Sequence, residues 1–118
     1  MRRPKVIEVL AREHGLRIVG VEALTIRRQH RGRGFSYRNG VGYVRGKTEL
    51  ARLRSLAMPP AYADVRYAAD PAAHLQAVGT DAAGRLQYRY HANWTAVREA
   101  LKARRLVRLR RTGGAPLQ

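Results

Sequence analysis

The chain has 118 residues, and 24 Lys and Arg against 8 Asp and Glu give it a formal net charge of +16. This length predicts one domain with its own hydrophobic core, while the absence of cysteine excludes a disulfide scaffold and a cysteine-based zinc site. No apolar run approaches the roughly 20 residues of a membrane span, and the excess of positive charge predicts a polyanionic partner, nucleic acid before an anionic membrane.

The first third of the chain predicts a helix, a strand and a loop. Residues 4–14 carry apolar side chains at helical spacing and precede Gly15, so they predict a short helix with Pro4 in its first position. Residues 16–21 alternate and are rich in β-branched side chains, which predicts a strand. Residues 25–34 show no core periodicity and predict a basic loop.

The middle of the chain predicts a hairpin followed by a helix. The pair Asn39-Gly40 lies between the alternating runs 35–38 and 41–44, and Asn-Gly is typical of a two-residue hairpin turn. The next helix is expected to start with Thr48 as its cap and to end before Pro59-Pro60. Its inward-facing residues are expected to be Leu50, Leu53 and Leu56.

The second half of the chain predicts three further strands and a last helix. The strands are expected over 64–69, 74–79 and 85–90, and Asn93 is expected to cap a helix whose last turns are rich in Arg. Antiparallel strands bracketed by helices predict an α+β fold, a small antiparallel sheet of about five strands with flanking short helices.

We divide the chain into three predicted parts. Residues 1–15 form an N-terminal helical extension, residues 16–106 form the main domain, and residues 107–118 form a basic flexible tail.

Positive charge is concentrated in two blocks. No acidic residue lies between Glu22 and Glu49, where seven basic residues occur, and a second basic block spans 98–111. Two such blocks are typical of a surface that follows a phosphate backbone.

The strand predicted at 85–90 carries side chains that can recognise bases. Gln87 can pair with adenine, and Tyr88 and Tyr90 can stack, contact a thymine methyl or bind a phosphate. A β-ribbon in the major groove is a known docking mode. Alternation alone favours an ordinary half-buried strand instead, with Leu86, Tyr88 and Tyr90 on the core face.

Patterns typical of catalysis are sparse. The four histidines show no metal-ligand spacing, and neither a phosphate-binding Walker loop nor a dinucleotide fingerprint is present. We therefore predict no catalytic residue, no metal, no cofactor, no membrane partner and no small-molecule substrate. One alternative stays open, a hydrolase or nuclease that pairs His74 or His91 with Asp64, Asp70 or Asp81.

Four segments agree in order and spacing with a known family. They are residues 32–37, 53–65 and 74–91, followed by Trp94. In these segments the chain resembles the N-terminal domain of bacterial and poxvirus-type type IB DNA topoisomerases. The resemblance covers residues 16–106, and the block from His74 to Trp94 is its most specific part.

The resemblance implies one half of a clamp around duplex DNA, with Gln87, Tyr88 and Tyr90 against the major groove. It also implies an enzyme that relaxes supercoiled DNA without ATP through a 3′-phosphotyrosyl intermediate. In the family the catalytic residues lie in a C-terminal domain beyond the last helix predicted here, so we expect this chain alone to be inactive. A strict strand points Gln87 away from both tyrosines, so a twist or bulge is needed to bring all three to the DNA.

We therefore predict a DNA-binding clamp domain in the cytoplasm, associated with the nucleoid. Its partners are duplex DNA and a topoisomerase catalytic domain supplied in cis or in trans. The alternative is an autonomous basic module that binds RNA or coats DNA. Predicted contacts to the DNA backbone are Arg27, Arg28, Arg31, Arg33, Arg85, Arg89 and His91.

Overall fold

One antiparallel sheet organises the chain, and the computed structural model describes residues 3–111 of it. The helices are α1 (Val6–Glu13), α2 (Lys47–Ser55) and α3 (Trp94–Arg111), with a 3-10 turn at Val21–Ala23. The strands are β1 (Ile26–Arg31), β2 (Gly34–Asn39), β3 (Gly42–Tyr43), β4 (Ala63–Tyr67), β5 (Leu75–Thr80) and β6 (Leu86–Tyr90). The α+β prediction is confirmed, with six strands in the described residues where about five were expected.

The sheet consists of two three-stranded meanders joined side by side. Its order is β3-β2-β1-β4-β5-β6, so the junction between the meanders is the antiparallel pair of β1 and β4. That junction pairs Ile26 with Tyr67 and Arg27 with Arg66. No helix of the described chain is long and apolar enough to cross a bilayer.

The main core lies between α2 and one face of the sheet. Ile26, Tyr37 and Tyr67 are buried there against Leu53 of α2. The rings of Tyr37 and Tyr67 meet edge to face, with centroids 5.6 Å apart, an arrangement that aromatic pairs favour. Burial, the largest cause, raises the pKa of Tyr67 to about 12, so its hydroxyl is neutral at physiological pH.

The opposite face of the sheet, which we call the open face, is covered only in part. Val78 of β5 is buried on this face with Leu24, and Val19 packs against the same cluster. Residues 19–24 therefore lie over β5. A third cluster joins α1 to α3 through Leu10 and Val97.

The two predictions for residues 16–34 are wrong. Residues 16–21 form no strand, and their backbone makes only an isolated β-bridge, from Arg17 to Ala73. Val19 packs on the sheet and Leu16 packs between α1 and α3, whereas Ile18 and Val21 are exposed. Residues 25–34 are not a loop, because they contain β1 and the turn into β2. In β1 the positions on the same side as Ile26 are occupied by Arg28 and His30. The sequence therefore lacks the alternation of apolar and polar residues that indicates a strand.

Other predicted elements are confirmed with shifted ends. The hairpin forms, but its turn residues are Gly40 and Val41, since Asn39 pairs with Gly42. The Asn39 carboxamide oxygen accepts hydrogen bonds from the backbone N–H groups of Val41 and Gly42, at 2.9 and 3.0 Å. Gly46 rather than Thr48 occupies the cap of α2.

The predicted first and last helices both form. Lys5 caps α1, so Pro4 lies before the helix and not in its first position. The predicted strands 64–69, 74–79 and 85–90 are found with ends moved by one or two residues. Helix α3 is continuous to Arg111, and the rest of the predicted tail, residues 112–118, lies outside the described residues.

Gly79 of β5 is closely packed on the side of the sheet that faces α2, so an added methyl group there should lower stability. A Cβ on Gly79 would lie 2.9 Å from Met58 Cε and 3.0 Å from Val65 Cγ2. We expect Gly79→Ala to lower the free energy of unfolding by about 1–3 kcal/mol, because overpacking forces neighbours to move. Urea denaturation measures this change.

Gly34→Ala is the matched control, since Gly34 also lies in a strand but an added Cβ would have no neighbour within 4 Å. We expect that variant to change stability by no more than about 0.5 kcal/mol. Equal losses in the two variants would contradict the packing described for β5.

Candidate nucleic-acid interface

The outermost strand β6 exposes its apolar side chains. Leu86, Tyr88 and Tyr90 are 56%, 38% and 45% exposed, whereas Gln87 and Arg89 are half-buried. The interpretation that alternation favoured, with Leu86 and the tyrosines on the core face, is therefore wrong. Gln87 and Arg89 pair with Gly79 and Ala77 of β5, the strand positions that face α2. The pleat then directs the other side chains of β6 to the open face.

The open face of β6 carries a continuous group of rings, which we call the aromatic patch: Tyr88, Tyr90, Trp94 and His74. Tyr90 stacks on Trp94 with centroids 6.1 Å apart and planes 19° apart. Tyr88 lies 6.4 Å from Tyr90, and His74 lies 4.6 Å from Trp94. The patch places two exposed phenols beside the first residue of α3.

His74 anchors this patch to the body of the domain. Its Nδ1 accepts a hydrogen bond from the Val19 N–H at 3.1 Å. Burial lowers the pKa of His74, which favours the neutral ring that can accept that bond. His74 therefore connects residues 19–24, which cover β5, to the aromatic patch.

Gln87 lies on the other side of β6 from the two tyrosines. The pairing of β5 with β6 shifts register between Leu75 and Ala77, but the extra residue belongs to β5, so β6 keeps its alternation. The Gln87 amide donates to Asp81 Oδ2 at 2.9 Å. The structure thus brings Tyr88 and Tyr90 together and separates Gln87 from them. The predicted groove contacts of all three stay a prediction.

Asp81 organises the turn between β5 and β6. Its carboxylate accepts bonds from the backbone N–H groups of Ala83 and Arg85 and from the side chains of Arg85 and Gln87. These bonds, that of the Arg85 N–H first, lower the pKa of Asp81. One acidic group therefore partners two of the predicted DNA contacts, Arg85 and Gln87.

Arg28 makes its contacts inside the protein. Its Nη1 donates to the Met58 carbonyl at 2.7 Å, and its Nη2 donates to the carbonyls of Pro59 and Tyr62 at 2.8 and 3.2 Å. The guanidinium also lies 4.1 Å from the centroid of Phe35. Because these donors are directed at main-chain carbonyls, Arg28 secures residues 58–62. Its contact with the DNA backbone stays a prediction.

The other predicted backbone contacts are distributed over both sides of the sheet. Arg27 is exposed on the open face, and Arg31 lies 5.5 Å from the ring of Tyr43. Arg33 is exposed in the turn between β1 and β2. Arg89 is half-buried on the Gln87 side of β6, and His91 Nδ1 accepts a bond from the backbone of Asn93, just before α3.

Two arginines of the open face were missed from the sequence. Strand pairing places Arg66 opposite Arg27 and Arg27 opposite Arg38. We call Arg27, Arg38 and Arg66 the arginine row. Alternation within each strand was a usable signal for Arg38, whose neighbour Tyr37 is buried, but the pairing of Arg66 with Arg27 depends on a contact distant in sequence.

The residues proposed for a hydrolase are not assembled into a site. Asp64 faces Arg27 and Arg66, Asp70 accepts a bond from the Ala72 N–H, and Asp81 holds the turn described above. Within residues 3–111, no carboxylate is hydrogen-bonded to His74 or His91, and no group of three potential metal ligands occurs.

Comparison with known proteins gives two matches. Residues 34–81 match the family model for the N-terminal domain of bacterial DNA topoisomerase IB. A stretch of 43 residues is 46% identical to DNA topoisomerase 1B of Acanthamoeba polyphaga mimivirus, covering 36% of this chain and 13% of that relative. The family match runs from β2 through β5, so β6 and Trp94 lie just beyond it, whereas His74 of the aromatic patch lies within it.

The carbonyl contacts of Arg28 predict a stability role for this residue. We expect Arg28→Ala to lower the free energy of unfolding by about 2–4 kcal/mol, because a charged donor is lost and buried acceptors are left without partners. Chemical denaturation measures the loss.

Arg33→Ala removes the same charge from an exposed turn, and we expect it to change stability by about 0.5 kcal/mol or less. If Arg28→Ala were as stable as Arg33→Ala and differed only in nucleic-acid affinity, the structural role of Arg28 would be disproved.

Proposed function

We propose that this chain, which carries an N-terminal domain of the type IB DNA topoisomerases, binds duplex DNA through the open face of its sheet as one half of a clamp. The observation that carries the proposal is the position of exposed Tyr88 and Tyr90 on the same face as Arg27 and Arg38. A net charge of +16 supplies the attraction to a polyanion.

Strand β6 suits the major groove of B-form DNA. It pairs with β5 alone among the described strands, so one backbone edge and the tyrosine side chains are free to approach a ligand. A groove about 12 Å wide admits a two-stranded β-ribbon. Tyrosine can contact a thymine methyl, bond to a phosphate or stack on an unpaired base.

The strand cleavage of a topoisomerase belongs, in this proposal, to a catalytic domain in cis or in trans. The match spans 13% of the viral relative, and the family resemblance places phosphotyrosyl chemistry in a C-terminal domain. The chain alone then binds duplex DNA without relaxing supercoiled plasmid. A cytoplasmic, nucleoid-associated location stays a prediction.

A second candidate function is an autonomous module that binds RNA or coats DNA. The observation in its favour is the second half of α3, where Arg104, Arg105, Arg108 and Arg110 are all exposed on a continuous helix. In this case the helix rather than the sheet would provide most of the affinity, and structured RNA would compete well against duplex DNA.

Fluorescence anisotropy with a short labelled duplex distinguishes the two functions. We expect Tyr88→Ala/Tyr90→Ala to weaken binding by about tenfold or more and to keep this deficit at high salt, because aromatic contacts to bases are not ionic. Tyr90 also stacks on Trp94, so we expect a modest fall in melting temperature, and binding is compared at a temperature at which both proteins are folded.

Arg104→Ala/Arg105→Ala is the comparison variant. We expect a smaller loss that disappears at high salt, with a slope of log affinity against log salt reduced by about 0.9 for each lost phosphate contact. Loss of binding in the α3 variant alone, together with tighter binding to structured RNA than to duplex DNA, would favour the second function.

A further inference from the structure

The arginine row places three positive side chains in direct cross-strand register. Arg66 of β4, Arg27 of β1 and Arg38 of β2 are successive partners on the open face. Arg38 lies 5.1 Å from the ring centroid of Tyr43, its partner on β3. Residues paired in this way have Cβ atoms about 5 Å apart, so three positive side chains leave the sheet side by side.

Asp64 compensates this charge only in part. Its carboxylate lies 3.6 Å from Arg27 Nη1 and 3.9 Å from Arg66 Nε, both longer than a hydrogen bond. The Nε of Arg66 is buried and has no hydrogen-bond partner. Arg27 and Arg66 thus share one distant carboxylate, Arg38 lies against the ring of Tyr43 instead, and the buried Arg66 Nε is unsatisfied.

Such an arrangement is unfavourable in the protein alone. Like charges directly opposite each other in a sheet are destabilising, and a buried donor without a partner adds a desolvation cost. An anion bound between the guanidinium groups would remove both costs. Arginine is well suited to this because its planar fork binds phosphate oxygens in a bidentate manner.

We propose that Arg27, Arg38 and Arg66 form a phosphate-binding site for the DNA backbone, beside the aromatic patch and with Asp64 as its internal competitor. This proposal rests on the function proposed above and assigns the residues that bind the strand bordering the groove. Asp64 faces Arg27 and Arg66 in the free protein, and the phosphate replaces it.

The spacing of the strands agrees with a single DNA ligand. Neighbouring strands are about 4.8 Å apart, so β4, β1 and β2 lie two, three and four strands from β6, about 10, 14 and 19 Å away. The major groove is about 12 Å wide. A duplex that receives Tyr88 in its groove therefore places a bordering backbone near the arginine row, with residues 19–24 between the two contacts.

The backbone of Asp64 offers a selective test. Asp64 has a φ of +49° within an irregular stretch of β4, a conformation that Asn tolerates as well as Asp. Asp64→Asn should therefore keep the backbone while removing the competing charge. We expect duplex affinity to rise several-fold, a direction that a merely structural role for Asp64 does not produce.

Anisotropy titrations between about 0.05 and 0.2 M salt provide the measurement. We expect Arg27→Gln/Arg38→Gln to lower the salt slope by about two, equivalent to roughly eightfold in affinity at 0.1 M salt for each lost contact. Both side chains are exposed, so folding should be preserved, and melting temperatures verify this. Arg66→Gln is a third variant at the half-buried end of the row.

The control variants remove the same number of charges from α1 and α2, away from the arginine row. Arg12→Gln/Arg54→Gln changes two exposed arginines on α1 and α2, and Glu13→Gln changes an exposed acid on α1. The proposal would be overturned if the row variant and the arginine control had equal salt slopes. It would also be overturned if Asp64→Asn and Glu13→Gln changed duplex affinity by the same factor.

The two proposals fail in different ways. Normal binding by the row variant together with loss in the tyrosine variant would overturn the phosphate site and leave the clamp function standing. No duplex binding by the unmodified chain would overturn both.

Discussion

The short pairing of β1 with β4 is the contact on which the rest of the structure depends. Only two residue pairs form it, yet it joins the two meanders into one sheet. On the α2 side it sets Ile26 against Tyr67 in the main core. On the open face it sets Arg27 against Arg66. The same junction therefore contributes both to the hydrophobic core and to the arginine row, and the alternation of side chains keeps them on opposite faces.

The core side of this junction accommodates the charged side chain of Arg28 because its guanidinium group donates hydrogen bonds to three main-chain carbonyls. Arg28 replaces the apolar residue expected beside Ile26, and its donors satisfy the carbonyls of residues 58–62. Guanidinium groups are tolerated in such places when their hydrogen bonds are made. On the open face, Arg66 has no such partners, since its Nε is buried and unsatisfied. The two arginines therefore differ in that the donors of Arg28 are satisfied within the fold, whereas the Nε of Arg66 has no hydrogen-bond partner.

Local patterns in the sequence predicted much of the fold. The turn residues Asn39-Gly40, the helix before Pro59 and the three later strands were all found within a residue or two. Strand β1 does not show a strand pattern because Arg28 and His30 occupy core-side positions. Residues 16–21 show one although only Val19 packs on the sheet and Leu16 packs on the helices. Those errors arise where tertiary packing, rather than local alternation, decides the outcome.

The candidate site was less predictable than the fold. The chemistry of Tyr88 and Tyr90 was recognisable, but their exposure was not, because alternation cannot say which face of an edge strand is covered. Arg66 was not among the predicted contacts because its place beside Arg27 depends on pairing between strands far apart in the chain, whereas alternation along the hairpin was a usable signal for Arg38. Gln87 carries a suitable amide, and the structure places it on Asp81, across the strand from the tyrosines.

The most direct test of the account is to map the DNA-binding face by NMR. Amide chemical shifts would be followed residue by residue while a short duplex is added to the labelled chain. The account predicts the largest changes along β6 and at Arg27, Arg38 and Arg66, with little change in α2. Changes confined to α2 and residues 58–62, or to the second half of α3 with the open face unaffected, would contradict it.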